Sequence, residues 1–157
     1  MASERCLVIV QLPYVDSTGH DIGDEQRPVQ SGKKEDKYMA HILLAEDDDD
    51  MRRFLTKALQ TAGHTVVDFD NGRSAYERMR EEPFTVLLTD IVMPEMDGIE
   101  LARKATELDP DLKVMFITGF AAVALNPDSN APKNAKVLSK PFHLRELVGE
   151  VDRLLAA

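Results

Sequence analysis

The run His41-Ile42-Leu43-Leu44-Ala45 constrains the fold of this chain more than any other feature. After His41 it contains no polar residue, and it leads straight into an acidic cluster. A strand with one solvent face alternates apolar and polar residues, whereas a short continuous run belongs to a strand buried on both faces. Such a strand sits inside a parallel sheet, whose strands need long crossovers that cover both faces with helices.

The residues that follow carry the matching helices and strands. Met51, Leu55, Ala58, Leu59 and Ala62 recur at helical spacing, and Gly63 is placed to stop that helix. Thr65–Phe69 reads as a second strand, ended by Asn71-Gly72, and Ala75, Tyr76 and Met79 mark a helix that stops before Pro83. Phe84–Thr89 is a third strand, and Ile99, Ala102, Ala105 and Leu108 stripe a helix over Gly98–Leu108. Val114–Thr118 and Lys136–Ser139 supply strands four and five, and a helix striped by Leu144, Leu147, Val148, Val151, Leu154 and Leu155 closes the chain. The predicted class is α/β, a five-stranded parallel sheet of flavodoxin-like order 2-1-3-4-5 with helices on both faces. The fourth helix is the exception. Pro127 and Pro132 follow Ala121–Leu125, and proline inside a helix costs about 3 kcal/mol, so this helix is expected to be short or broken.

Composition divides the chain and excludes some partners. Residues 1–38 hold one apolar run, Cys6–Val10, then a polar stretch without helix or strand period, and are expected to form a disordered N-terminal extension; residues 39–157 form the folded domain. A formal net charge of −9 without a visible basic patch argues against nucleic acid. No stretch reaches the roughly 18 apolar residues that span a bilayer, so no membrane partner is expected. Cys6 is the only cysteine, which rules out an intrachain disulfide and favours a reducing compartment, and a cytoplasmic location is expected.

In this topology the ligand crevice lies beyond the carboxyl ends of strands 1 and 3. The predicted strands end there on Glu46-Asp47, Asp90, Thr118-Gly119 and Lys140-Pro141. Singly, Asp90 reads as a turn residue, Lys140 as a loop lysine, Thr118 as a turn hydroxyl, and Asp49 or Asp50 as a helix N-cap. Jointly they make a different site. Clustered carboxylates repel unless a cation sits among them, and a hard cation that takes a few carboxylates and phosphate oxygens is Mg²⁺. Asp90 can then act as a nucleophile toward phosphorus, Lys140 can spread the phosphoryl charge and Thr118 can hydrogen-bond a product oxygen.

Residues 39–157 resemble a CheY-like response-regulator receiver domain over their whole length. Four motifs carry the likeness: Ile42-Leu-Leu-Ala-Glu-Asp-Asp48, Leu87-Leu-Thr-Asp-Ile-Val-Met-Pro-Glu-Met-Asp-Gly98, Phe116-Ile-Thr-Gly119 and Ser139-Lys-Pro-Phe142. The resemblance implies that Asp90 accepts a phosphoryl group from a phosphohistidine on a histidine kinase or histidine phosphotransfer protein. It implies Mg²⁺ held by Asp47 and Asp90 directly, by Glu46 through water, and by the Val92 backbone carbonyl. Catalysis would be limited to the domain's own phosphorylation and dephosphorylation. Many receivers carry an aromatic residue three before the lysine; here Val137 stands there, and Phe120 is the candidate for the missing half of the switch. With apolar Val92 and Phe120 flanking the site, slow loss of the phosphoryl group is expected.

No output domain is expected after the final helix, so the output would be a protein–protein contact. Within the family the sequence resembles the CpdR-type single-domain regulators, on Ile42–Asp48, the Thr118–Pro127 segment and the Leu154-Leu-Ala-Ala157 end. That likeness implies an adaptor acting on the ClpXP protease, through ClpX, in cell-cycle control. The alternative is a phosphorelay shuttle or phosphate sink without a dedicated effector. A haloacid-dehalogenase-type phosphatase is disfavoured, because that chemistry needs an acid two residues after the nucleophile and the chain has Val92.

Overall fold

A computed structural model describes residues 39–156; the expectations for residues 1–38, and for the tail at Ala157, lie outside the described residues. The elements run β1 (His41–Ala45), α1 (Asp49–Thr61), β2 (Thr65–Phe69), α2 (Gly72–Glu81), β3 (Val86–Thr89), α3 (Gly98–Leu108), β4 (Lys113–Thr118), α4 (Ala121–Leu125), β5 (Lys136–Ser139) and α5 (Leu144–Ala156). The five strands are all parallel in the order β2-β1-β3-β4-β5, as expected.

Alternate residues of each strand feed two cores, the period of two that a pleated strand imposes. On one face Leu43, Ala45, Leu87 and Phe116 meet Ala75 of α2 and Leu101, Ala102 and Ala105 of α3. On the other, Ile42, Leu44, Leu88, Met115 and Ile117 meet Leu55 and Leu59 of α1 and Leu147 and Val151 of α5. These central-strand residues are inaccessible to solvent or nearly so, and for that reason their sequence shows no alternation. No helix among the described residues is long and apolar enough to cross a membrane.

The structure moves several boundaries. Asp48, not Asp49 or Asp50, is the N-cap of α1: its side chain accepts from the Met51 N–H at 2.8 Å. The helix starts ahead of its apolar stripe, which leaves Asp49 and Asp50 in the first turn, where negative charge suits the helix dipole. β3 begins at Val86 rather than Phe84, whose ring instead stacks edge-on against His41 with centroids 4.4 Å apart. Gly63 ends α1 with φ 102°, a left-handed conformation that suits glycine. The fourth helix is only five residues long and buries none of them. It stops at Asn126, the residue before Pro127, where the proline ring disfavours helical geometry.

Strand register sets the height of the functional residues. Ala45 pairs with Thr89 across β1 and β3, so Glu46 and Asp90 leave the sheet side by side. Thr118 pairs with Ser139 across β4 and β5, which brings Lys140 to the same edge.

Candidate functional site

The carboxyl edge of the sheet is organised around one ammonium. Lys140 Nζ donates to Glu46 Oε2 at 2.9 Å and to Asp90 Oδ2 at 3.0 Å. Its backbone N–H also donates to the Thr118 carbonyl at 2.9 Å, so β4 holds the lysine in place. Asp90 is fixed at both ends: its N–H donates to the Ala45 carbonyl at 3.0 Å, and its Oδ1 accepts from the Ile91 N–H at 2.7 Å.

Glu46 is only 1% exposed. Burial raises its pKa above the usual 4.5, and the hydrogen bond and charge of Lys140 offset that rise only in part. For Lys140, burial works against the charged form, but the bonds to Glu46 and Asp90 outweigh it and its pKa rises above 10.5. Asp47 lies at the exposed rim. Together Glu46, Asp47 and Asp90 can each offer a carboxylate oxygen within 4.8 Å of the others, a hard all-oxygen donor set that fits a divalent cation such as Mg²⁺.

The Glu46 pKa has a consequence for the metal-free protein. Between pH 4.5 and its raised folded value, the folded state holds more protons than the unfolded state. Stability therefore falls as pH climbs through that window and stays lower above it. Glu46→Gln removes this loss, so in a chelator at neutral pH the variant is expected to melt above wild type, with the gap closing toward pH about 4. Adding Mg²⁺ should reverse the order. Thermal melts across that pH range, with and without Mg²⁺, check both signs.

The loop after β3 is shaped by close backbone approach. Glu95 has φ 68° and sits in a tight turn in which the Met96 N–H donates to the Pro94 carbonyl at 2.8 Å. The left-handed residue of the Met93–Gly98 segment is thus Glu95. Gly98 serves another need: a Cβ built there would lie 1.8 Å from the Asp90 carbonyl oxygen. Gly72 of α2 presses the same loop, where a Cβ would come within 2.3 Å of the Met96 carbonyl oxygen. Asp97 caps α3 by accepting from the Glu100 N–H at 2.8 Å.

Thr118 is fully buried, and its Oγ1 accepts from the Phe120 N–H at 3.0 Å. Val92, two residues beyond Asp90, turns its side chain to solvent and is 57% exposed, and Phe120 is 58% exposed. Both side chains are thus open to solvent in the unphosphorylated chain. Val137 is half-buried and lines a cavity of about 420 Å³ with Phe116, Ala124 and Leu125. The site thus gathers Glu46, Asp47, Asp90 and Lys140. Sequence reasoning missed Arg52, whose Nη1 donates to the Glu46 carbonyl at 3.0 Å; an arginine beside the apolar stripe of a helix gives no sign of which backbone group it reaches.

The chain is similar to known proteins. The family model for the response regulator receiver domain matches residues 42–152. The response regulator receiver protein CpdR of Brucella abortus strain 2308 is 76% identical over 119 residues, covering 76% of this chain and 99% of that protein. The sensor kinase CckA of the same organism is 39% identical over 120 residues, or 74% of this chain but 12% of that longer protein. Among solved structures, the response regulator TrrA of Thermotoga maritima in complex with Mg²⁺–BeF superposes with a TM-score of 0.66 at 26% identity, covering 74% of this chain and 99% of that one. A match over most of the folded residues, joined to this sheet order and this acidic edge, leaves one conclusion: the chain belongs to the response regulator receiver domain family.

Proposed function

We propose that this chain is a phosphorylation switch whose acceptor is Asp90, and that its output is a protein–protein contact. The observation that carries the reading is the shared ammonium. One lysine holds Asp90 and a buried glutamate at 3.0 and 2.9 Å, beside a third carboxylate at the rim. Glu46, Asp47, Asp90 and the Val92 backbone carbonyl would hold Mg²⁺. When bound, the ion supplies positive charge to the oxygens of the transferring phosphoryl group. An Asp90 carboxylate oxygen attacks phosphorus as the N–P bond of a phosphohistidine breaks, with a histidine kinase or histidine phosphotransfer protein as donor. Lys140, already on Asp90, neutralises the oxygens that arrive there.

Thr118 supports a link from this chemistry to the surface. An Oγ1 that accepts from Phe120 keeps its own hydrogen to donate to a phosphoryl oxygen. Phe120 is the N-cap residue of α4, and its carbonyl accepts from the Val123 N–H at 3.0 Å. A shift of Thr118 would therefore reach α4 through the Phe120 backbone rather than through its ring. Val137, beside the cavity under α4, leaves room for that short helix to resettle. The exposed apolar residues Val123 and Leu125 of α4 suit a protein partner. The strong likeness to CpdR favours the ClpXP protease as effector and the cytoplasm as the place of action.

The test of the metal half is thermal. With Mg²⁺ at a hundred times its Kd the protein should gain about 2.7 kcal/mol, or about 10 °C in Tm. Asp47→Asn should lose most of that gain, and an equal gain in both proteins would remove Asp47 from the metal site. The output half is tested by binding purified ClpX to wild type and Asp90→Ala, each with and without phosphodonor. Binding that ignores phosphorylation in wild type would rule ClpX out as the controlled effector.

A further inference from the structure

Arg52 lies one helical turn after the N-cap Asp48 and three residues before the buried Leu55, at the edge of the face that α1 turns to the sheet. Its side chain is only 16% exposed, and each guanidinium nitrogen donates to a different segment. Nη1 reaches the Glu46 carbonyl at 3.0 Å, Nε reaches Asp68 Oδ2 of β2 at 3.1 Å, and Nη2 reaches Asp49 Oδ1 of α1 at 2.6 Å. The planar fork thus ties the exit of β1 to the strand beside it and to the helix that follows.

The polar atoms of Glu46 show why this matters. Its N–H donates to the Phe69 carbonyl at 3.0 Å, Oε1 accepts from the Asp48 N–H at 3.2 Å, and Oε2 accepts from Lys140 Nζ at 2.9 Å. The fourth polar group, the backbone carbonyl, accepts from Arg52. Without Arg52 this carbonyl, at the point where the chain leaves the sheet and turns into the acidic run, loses its protein donor. The turn would then lose one of the four bonds that fix Glu46, and the aim of Asp47, which follows it, would be less constrained.

We infer that Arg52 is a positioning residue for the cation: its fork sets the β1–α1 turn so that Glu46 and Asp47 face Asp90, and it thereby raises the affinity for Mg²⁺. This rests on the reading of the acidic edge as a Mg²⁺ site. Two effects of removing Arg52 have opposite signs, which makes the inference easy to break. Loss of a positive charge near three carboxylates should tighten binding of a cation, whereas loss of the fork should weaken it. Because Asp49 and Asp68 already compensate the guanidinium, its repulsion of a bound cation is small and geometry prevails. Partners that orient metal ligands typically contribute about 10–100-fold in affinity.

The experiment is calorimetric titration of MgCl₂ into the metal-free full-length chain, as wild type, Arg52→Gln and Arg52→Lys, with Asp47→Asn as reference. Lysine keeps the charge but cannot reproduce the fork. Both Arg52 variants are expected to bind Mg²⁺ at least about tenfold more weakly than wild type. The loss should persist in about 1 M salt, where the screening length is about 3 Å. Unchanged or tighter binding by Arg52→Gln overturns the inference, as does wild-type affinity in Arg52→Lys, which would reduce the role to charge. If Arg52→Gln does not fold, Arg52→Lys decides alone. Wild-type binding that is absent, or equal to that of Asp47→Asn, sinks the metal reading itself and this inference with it. Normal wild-type binding with unaffected Arg52 variants sinks only the inference.

Discussion

Replacing Asp90 with Asn is expected to reduce phosphoryl incorporation to background. In Mg²⁺ and acetyl phosphate the wild-type chain should gain the mass of one phosphoryl group, in a bond that hydroxylamine cleaves, as an acyl phosphate requires. Asparagine keeps the size of the side chain, and its carbonyl can still accept from the Ile91 N–H that Asp90 Oδ1 uses. It has no anionic oxygen to attack phosphorus, so geometry survives and chemistry does not. The assignment favours Asp90 over the other acids for a structural reason. Glu46 is almost wholly buried and Asp47 lies at the rim, whereas the Asp90 side chain is 12% exposed, open to an incoming phosphoryl group while bonded to Lys140. Peptide mapping by mass spectrometry distinguishes the three. Full modification of Asp90→Asn would move the acceptor elsewhere and overturn the proposed function.

Gly98→Ala should be the most damaging conservative change in the β3–α3 loop. The added methyl would sit 1.8 Å from the Asp90 carbonyl oxygen, 2.8 Å from its carbonyl carbon and 3.0 Å from the Ile91 Cα, all backbone atoms that no rotamer change can move aside. Relief requires the loop or α3 to shift, which strains the 2.7 Å bond from the Gly98 N–H to the Ile91 carbonyl. Overpacking in a dense region costs about 1–3 kcal/mol, and a clash confined to backbone belongs at or above the upper end. The expected loss is about 3 kcal/mol in denaturant unfolding, with slower phosphorylation because Asp90 moves with its own carbonyl. Gly119→Ala is the control. A Cβ there meets nothing within 4 Å, and its cost should stay within about 0.5 kcal/mol. Equal stabilities for the two variants would mean that the close approach at Gly98 is not maintained in solution.

Much of this was legible in the residues themselves. Leu43, Leu44, Leu87 and Leu88 are wholly or almost wholly buried on central strands, as their uninterrupted apolar runs require. The shortness of α4 follows from Pro127 by local sterics alone. Other features were not legible. Four successive aspartates are locally equivalent as caps, and the choice of Asp48 depends on where the chain leaves β1. The need for glycine at position 98 comes from the Asp90 carbonyl across the loop, which no pattern beside Gly98 records. The tie between Phe120 and Thr118 was equally hidden: the Phe120 side chain is exposed, and its backbone N–H donates to the Thr118 hydroxyl.

The sequence by itself determined which segments are strands and helices and the chemistry waiting at the strand ends. Those properties follow from periodicity and from turn and cap residues, all of which act within a few positions along the chain. Only the tertiary structure decided which of these groups touch. Lys140 meets Glu46 across 94 positions and Asp90 across 50, and Arg52 leaves the helix surface to hold the Glu46 carbonyl. Contacts of that reach depend on strand register and on how closely helices settle against the sheet, and no local pattern of residue types records either.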